Sequence, residues 1–129
     1  MRIVSQKVCS AFMQRKAKMV GNTHTDGDTL FLHGNAIARH LIAGGNHFTK
    51  WTPFEISFAG WPTVTTRDRL NSLPGVSVWQ RNHEQWLSRN DNVSKLEFSE
   101  LRLWFPIVDW HTDEWTCQQL GLLEKTWKI

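Results

Sequence analysis

Tyrosine is missing from the chain, cysteine occurs only twice and proline only four times. Cys9 and Cys117 stand far apart and form no CxxC pair. That excludes a disulfide framework and points to a reducing cytoplasm. The opening residues, MRIVSQKVCSAFMQRK, hold no apolar signal-peptide core, and no apolar run is long enough to span a bilayer. Secretion by that route and membrane insertion are therefore not expected. Also missing are a P-loop, a GxGxxG fingerprint and a nucleophile elbow. No helix-turn-helix, zinc-finger or RNA-recognition signature is visible, and no internal repeat or low-complexity segment interrupts the chain.

What is present is ordinary in bulk and unusual in detail. A length of 129 residues, 40% hydrophobic and 21% charged, fits one domain with a single modest core. Eight Trp and seven Phe supply the aromatic surface. Most of these rings are expected in the core, with one or two Trp exposed for binding. The net charge of +3 is unevenly spread. Residues 1–50 carry seven Lys/Arg against two acids, residues 51–90 four against three, and residues 91–129 four against seven. A basic front and an acidic back suit contact with nucleic acid or an acidic protein at one end.

Hydrophobic spacing sets the expected elements. Val4, Val8, Ala11 and Phe12 recur at helical period, so a helix is expected from residue 3 to about 15, ending at or snorkelling through Arg15. GNTHTDGDTLFLHGN, Gly21 to Asn35, brings two His and two Asp close together. Its Asp26-Gly27 and Gly34-Asn35 pairs are hairpin signals, and Leu30 and Leu32 share one face at period 2. The stretch therefore reads as turns in a three-stranded meander over 19–25, 28–33 and 36–40, with Thr23 opposite Leu30 and Leu32 opposite Ile37. Phe54, Ile56 and Phe58 alternate as a fourth strand. Thr65 is expected to cap a short helix, with Asp68 as its acidic partner, stopping at Pro74-Gly75. VSVWQ and EQWLS flank Arg81-Asn82-His83 as a hairpin. Leu101, Leu103 and Phe105 alternate like a strand, and Thr112 could open a helix. The fold class is α+β in one small domain: an N-terminal helix, an antiparallel meander, a short second helix, a hairpin and a C-terminal extension. The core is placed at about 1–90 and the variable extension at 91–129.

GNTHTDGDTLFLHGNAIARH, ISFAGWPTVTTRDRLNSLPGVSV and the aromatic QWL resemble a family of small proteins encoded mainly by bacteriophages. About half of the chain carries the likeness, which departs at loop 41–53 and after Leu87. The resemblance implies a phage or prophage origin, an α+β domain and action inside a bacterial host cell.

Three function classes follow. HTD occurs twice, so His24, Asp26, His111 and Asp113 could complete a four-ligand site and make a small metal-dependent enzyme. Yet Asp26 suits a turn and Asp113 a first helical turn, so no metal and no cofactor is expected. Cys9 and Cys117 are the thiol nucleophiles, but neither has a His beside it in sequence, and no catalytic residue is expected. Arg2, Lys7, Arg15, Lys16, Lys18, Arg39 and Lys50 could meet phosphates, with Trp51 or Trp79 stacking on bases. The class favoured is a non-enzymatic inhibitor of a host protein or ribonucleoprotein machine, such as an anti-CRISPR or anti-restriction protein, because a phage origin makes that role available. Its contacts would come from the departures: Trp51, Trp104, Trp110, Glu100 and Asp113, the acids facing a basic groove on the target.

Overall fold

A computed structural model describes residues 3–41, 54–89 and 92–107 of the chain. Helix α1 runs from Ile3 to Met13, its Val8, Ala11 and Phe12 buried as their spacing requires. It ends two residues earlier than expected. Arg15 adopts a left-handed φ of 58°, and the Lys16 amide closes back on the Ala11 carbonyl at 2.8 Å, satisfying an orphan helix carbonyl. The Arg15 side chain leaves toward the Asp28 carboxylate, 3.3 Å away.

Four strands follow: β1 (Lys18–Val20), β2 (Thr23–Thr25), β3 (Thr29–Leu32) and β4 (Asn35–His40). The single strand expected over 19–25 is in fact two. Gly21 takes a φ of 60° and folds β1 back on β2, a turn the alternating pattern concealed. The other two turns exist, each one residue from its expected centre. Asp26 accepts the amides of Asp28 and Thr29, both at 2.9 Å, which puts Gly27-Asp28 in the loop and pairs Thr23 with Leu32 rather than Leu30. His33 and Gly34 both have positive φ, the type I′ requirement, so they form the second loop and Leu32 faces Asn35 rather than Ile37. A bulge opposite Leu30/Phe31 then lets the consecutive Ile37 and Ala38 both turn inward.

β5 (Phe54–Ile56) extends the sheet, and β9 (Phe105–Ile107) closes its far side, giving the antiparallel order β1-β2-β3-β4-β5-β9. Helix α2 spans Val64–Leu70. Its cap is Thr63, not Thr65: the Thr63 hydroxyl accepts the Thr66 amide at 3.2 Å. Asp68 is thereby freed from capping and meets Ser5 and Arg69 instead. A second sheet holds β6 (Val76–Arg81), β7 (Glu84–Arg89) and β8 (Asn92–Leu96). The expected hairpin is present, turned by Asn82 and His83 at φ 51° and 62°. The alternating stretch Leu101–Phe105 contributes only its last residue to a strand; Leu101 follows a 3-10 turn at Phe98–Glu100 and Leu103 lies exposed in a bend. The helix expected from Thr112 lies outside the described residues.

One apolar cluster joins both sheets, with Phe12, Phe54, Phe58, Leu30, Ile56, Leu70, Leu87 and Ile107 all fully buried. Beside it runs a buried polar tie. Arg69, 3% exposed, donates to Thr23 Oγ1 at 2.8 Å, Ser5 Oγ at 2.7 Å and Asp68 at 2.6 Å. Guanidinium offers several donors in fixed directions, so one side chain on α2 pins α1 and β2 together. Asn71 plays a similar part for the small sheet, binding both the amide and the carbonyl of Val78 at 2.7 and 2.9 Å. No helix among the described residues is long and apolar enough to cross a membrane.

Candidate functional site

Two short turns face each other across an opening in the core. The first is the His33-Gly34 loop between β3 and β4. The second follows Phe58, where Ala59 and Gly60 take φ of 53° and 83° and the Trp61 amide returns to the Phe58 carbonyl at 2.8 Å. Glycine is needed at 60 for a further reason: a Cβ there would meet the Arg102 guanidinium at 3.2 Å. Gly60 also donates to the Leu101 carbonyl at 2.9 Å, so this turn is fastened from two sides. The result is a rigid corner that swings Trp61 outward.

Between the turns lies a cleft of about 400 Å³. Leu32, Ile37 and Phe58 form its floor, Trp61 its wall, and Asn35 and the α2 cap threonines its rim. Among the described residues His33 is the one titratable group that lines it, and no described Lys, Arg, Asp or Glu does. A cleft of this size, apolar below and hydroxyl-rimmed above, takes a neutral apolar or aromatic group. Trp61 remains 59% exposed and its neighbour Val64 65% exposed. The other prominent residues of the motif segments have structural work. Gly21 turns, Thr23 and Arg69 tie, Asn71 clamps, and Gly75 takes φ 77° after Pro74. The Trp61 side chain, unlike its backbone, makes no hydrogen bond or ring contact among the described residues.

Of the residues expected to bind a partner, the two that are described, Trp104 and Glu100, do not line the cleft. Trp104 lies half-buried with the Arg39 guanidinium 3.9 Å above its ring, and Arg39 also pairs with Glu55. Glu100 is locked into a turn, accepting the Glu97 amide at 2.9 Å. Trp51, Trp110 and Asp113 lie outside the described residues, as do Lys50, Cys117 and His111. Of the basic set, Arg15 faces Asp28 and Arg39 faces Glu55, while Lys16 and Lys18 are exposed. Trp79 stacks parallel to its cross-strand partner Trp86, ring centroids 6.4 Å apart.

The chemical candidates are likewise engaged in structure. His24 stacks on Phe31 at 4.7 Å, whereas Asp26 serves the turn, its two amide donors holding the carboxyl below the ordinary range. Among the described residues no group of three His, Cys, Asp or Glu is placed to hold a metal ion. Cys9 is buried, its thiol 3.4 Å from the Arg69 carbonyl, and burial pushes it up to about 12, so the thiolate is scarce at neutral pH.

Residues 1–106 match the model of the Kyanoviridae Gp96 protein, a phage family. The chain belongs to that family. The match takes in both turns of the cleft, both helices and all of β8, and it ends inside β9. Loop 41–53, read from the sequence as a departure, falls inside the span that matches this Gp96 family. No curated protein and no solved structure matches the chain. Sequence reasoning missed the cleft because Trp61 stands in a Gly-Trp-Pro break between β5 and α2, outside any periodic stripe. The signal was available: a large apolar residue placed in a turn, where it cannot be buried cheaply.

Proposed function

We propose that this phage protein acts without catalysis, binding a host protein through the cleft beside Trp61 and blocking it inside the bacterial cytoplasm. The target class is a defence nuclease complex, of the CRISPR or restriction kind. A single observation carries the binding half: an apolar opening to the core, with no charge among its described lining residues, is walled by a tryptophan left 59% exposed on a fastened turn. Aromatic anchors beside desolvated pockets dominate protein interfaces, and a preorganised one avoids the entropy of being fixed on binding. The inhibitory half rests on the phage family alone.

The test captures host proteins with a tagged chain and with two cleft variants. Trp61→Ala removes the wall, and Thr65→Trp fills the rim; both positions lie off the buried core. The reading expects one dominant host protein to be retained by wild type and lost by both variants, and the nuclease activity of that protein to fall when wild type is added. Equal retention by all three, or undiminished activity, rejects it.

A further inference from the structure

His40, the last residue of β4, is a half-buried imidazole set against the end of α1. Its ring stacks on the fully buried Phe12, with centroids 4.2 Å apart and planes 18° from parallel. Nε2 lies 2.7 Å from the Phe12 backbone carbonyl. A carbonyl only accepts, so Nε2 carries the proton and donates. The same carbonyl accepts the Arg15 amide at 3.0 Å, so the imidazole is a second donor to a helix-terminal oxygen. The His40 amide in turn donates to the Asp28 carbonyl at 2.9 Å, which fixes the backbone from which the ring projects.

The other ring nitrogen sets the chemistry. Nδ1 is buried and has no hydrogen-bond partner among the described residues. In the neutral ring that leaves one lone pair unmet. Protonation would instead place a charged, buried N–H there with no acceptor, which costs far more. Two charged groups face the ring: Arg15 from the end of α1 and Asp28 from the loop between β2 and β3. Arg15 opposes a second positive charge, whereas Asp28 and the carbonyl end of the helix favour one. The Asp28 side chain is 76% exposed and lies 3.3 Å from the Arg15 guanidinium, so solvent and that guanidinium blunt its pull. Phe54, opposite His40 on β5, brings no charge. Burial is the largest influence, and it holds the imidazole below its ordinary 6.5.

We propose that His40 is an acid-sensitive latch on α1: the neutral ring ties the helix end to β4, and proton uptake undoes the tie. A charged ring reaches an acceptor for Nδ1 only by turning out to solvent. That movement breaks both the bond to the Phe12 carbonyl and the stack on its ring. The last turn of α1 then opens more readily, while Ser5 near the other end stays bound to Arg69. Opened, the ring titrates near 6.5; docked, it titrates lower. The latch is therefore closed above about 6.5 and weakens as pH falls from there toward the folded value. None of this depends on the Trp61 cleft or on what fills it.

The experiment follows the full-length chain by NMR from about pH 5 to pH 8, the range in which an imidazole changes charge. It reads the His40 ring signals and the exchange of the Arg15 and Lys16 amides, which bond to the Phe12 and Ala11 carbonyls, corrected for intrinsic exchange. The His40 midpoint is expected below 6.5. Opening at the two amides is expected to rise at least about threefold toward pH 5, with a ceiling of about thirtyfold set by an ordinary imidazole. His40→Gln keeps a donor for the Phe12 carbonyl but takes up no proton in this range, so its opening should not change with pH. Asp28→Asn removes the carboxylate that favours the charged ring and should move the His40 midpoint further down. A His40 midpoint at or above 6.5 overturns the latch, as does a wild-type rise below about threefold. So does an acid rise that persists in His40→Gln, or a midpoint that Asp28→Asn leaves in place or raises. If the glutamine variant does not fold, the ring titration and Asp28→Asn still decide.

Discussion

Replacing Arg69 by methionine would expose how this fold is held together. Arg69 is 3% exposed and contacts Ser5 of α1, Asp68 of its own helix and Thr23 of β2, with Asn22 Oδ1 a further 3.3 Å away. Methionine fills similar volume but supplies none of those donors. The Asp68 carboxyl, its side chain 19% exposed, would then lose its guanidinium. Removing one partner of a largely buried ion pair costs about 3–5 kcal/mol, mostly from the charge left behind. A domain of this size is stable by only about 5–15 kcal/mol, so the loss is a large share. At about 3–5 °C per kcal/mol, the melting temperature should fall by roughly 10–20 °C. Urea unfolding of Arg69→Met, Asp68→Asn and the double variant makes the reasoning exacting. The double variant should lose less than the sum of the two single losses, because Asp68 and Arg69 interact directly. If Arg69→Met costs under about 1 kcal/mol, or the two losses simply add, the tie does not join the helices to the sheet as described.

Gly27→Ala should destabilise by about 2–3 kcal/mol, since residue 27 has φ 101° and a Cβ would lie 2.9 Å from the Arg15 carbonyl oxygen; a melting curve like wild type would refute this. Asp26 has its carboxyl lowered from 3.8 by the amides of Thr29 and Asp28. Its contribution is therefore present above about 3.8 and lost as pH falls through the lower folded value, so Asp26→Ala should flatten the acid limb of stability against pH, measured by thermal melting. Cys9, with its thiol raised to about 12 by burial, should resist alkylation at neutral pH until denaturant is added, read by peptide mass spectrometry. Phe12→Ala should cost about 3–5 kcal/mol, because the ring is fully buried and packs on His40 and Phe54; urea unfolding would show it.

How much of this was legible without coordinates depended on how local each feature is. The stripe Val8, Ala11 and Phe12 and the alternation Phe54, Ile56 and Phe58 marked buried faces correctly, because period alone decides which way those side chains point. The turn dipeptides marked that the chain reverses but not at which residue. Asp26 could equally have sat inside its loop; it instead caps the loop from outside, and that choice moved the register by two positions. The cap of α2 was displaced similarly, from Thr65 to Thr63, since three nearby hydroxyls competed and tertiary contact with Ser5 and Arg69 drew Asp68 away. Trp104 and Glu100, picked as partner contacts because they lie in the segment where the family likeness departs, meet the Arg39 guanidinium and the Glu97 amide within the chain.

Composition and pattern thus determined the class of fold, the inward faces and the presence of reversals, all properties of short chain segments. Tertiary structure alone decided that Arg69 would be the internal tie, that Trp61 would wall a cleft and that Phe98 would stand free. Each of those depends on residues tens of positions apart meeting in space, and hydrophobic periodicity carries no information about which distant face a segment will meet.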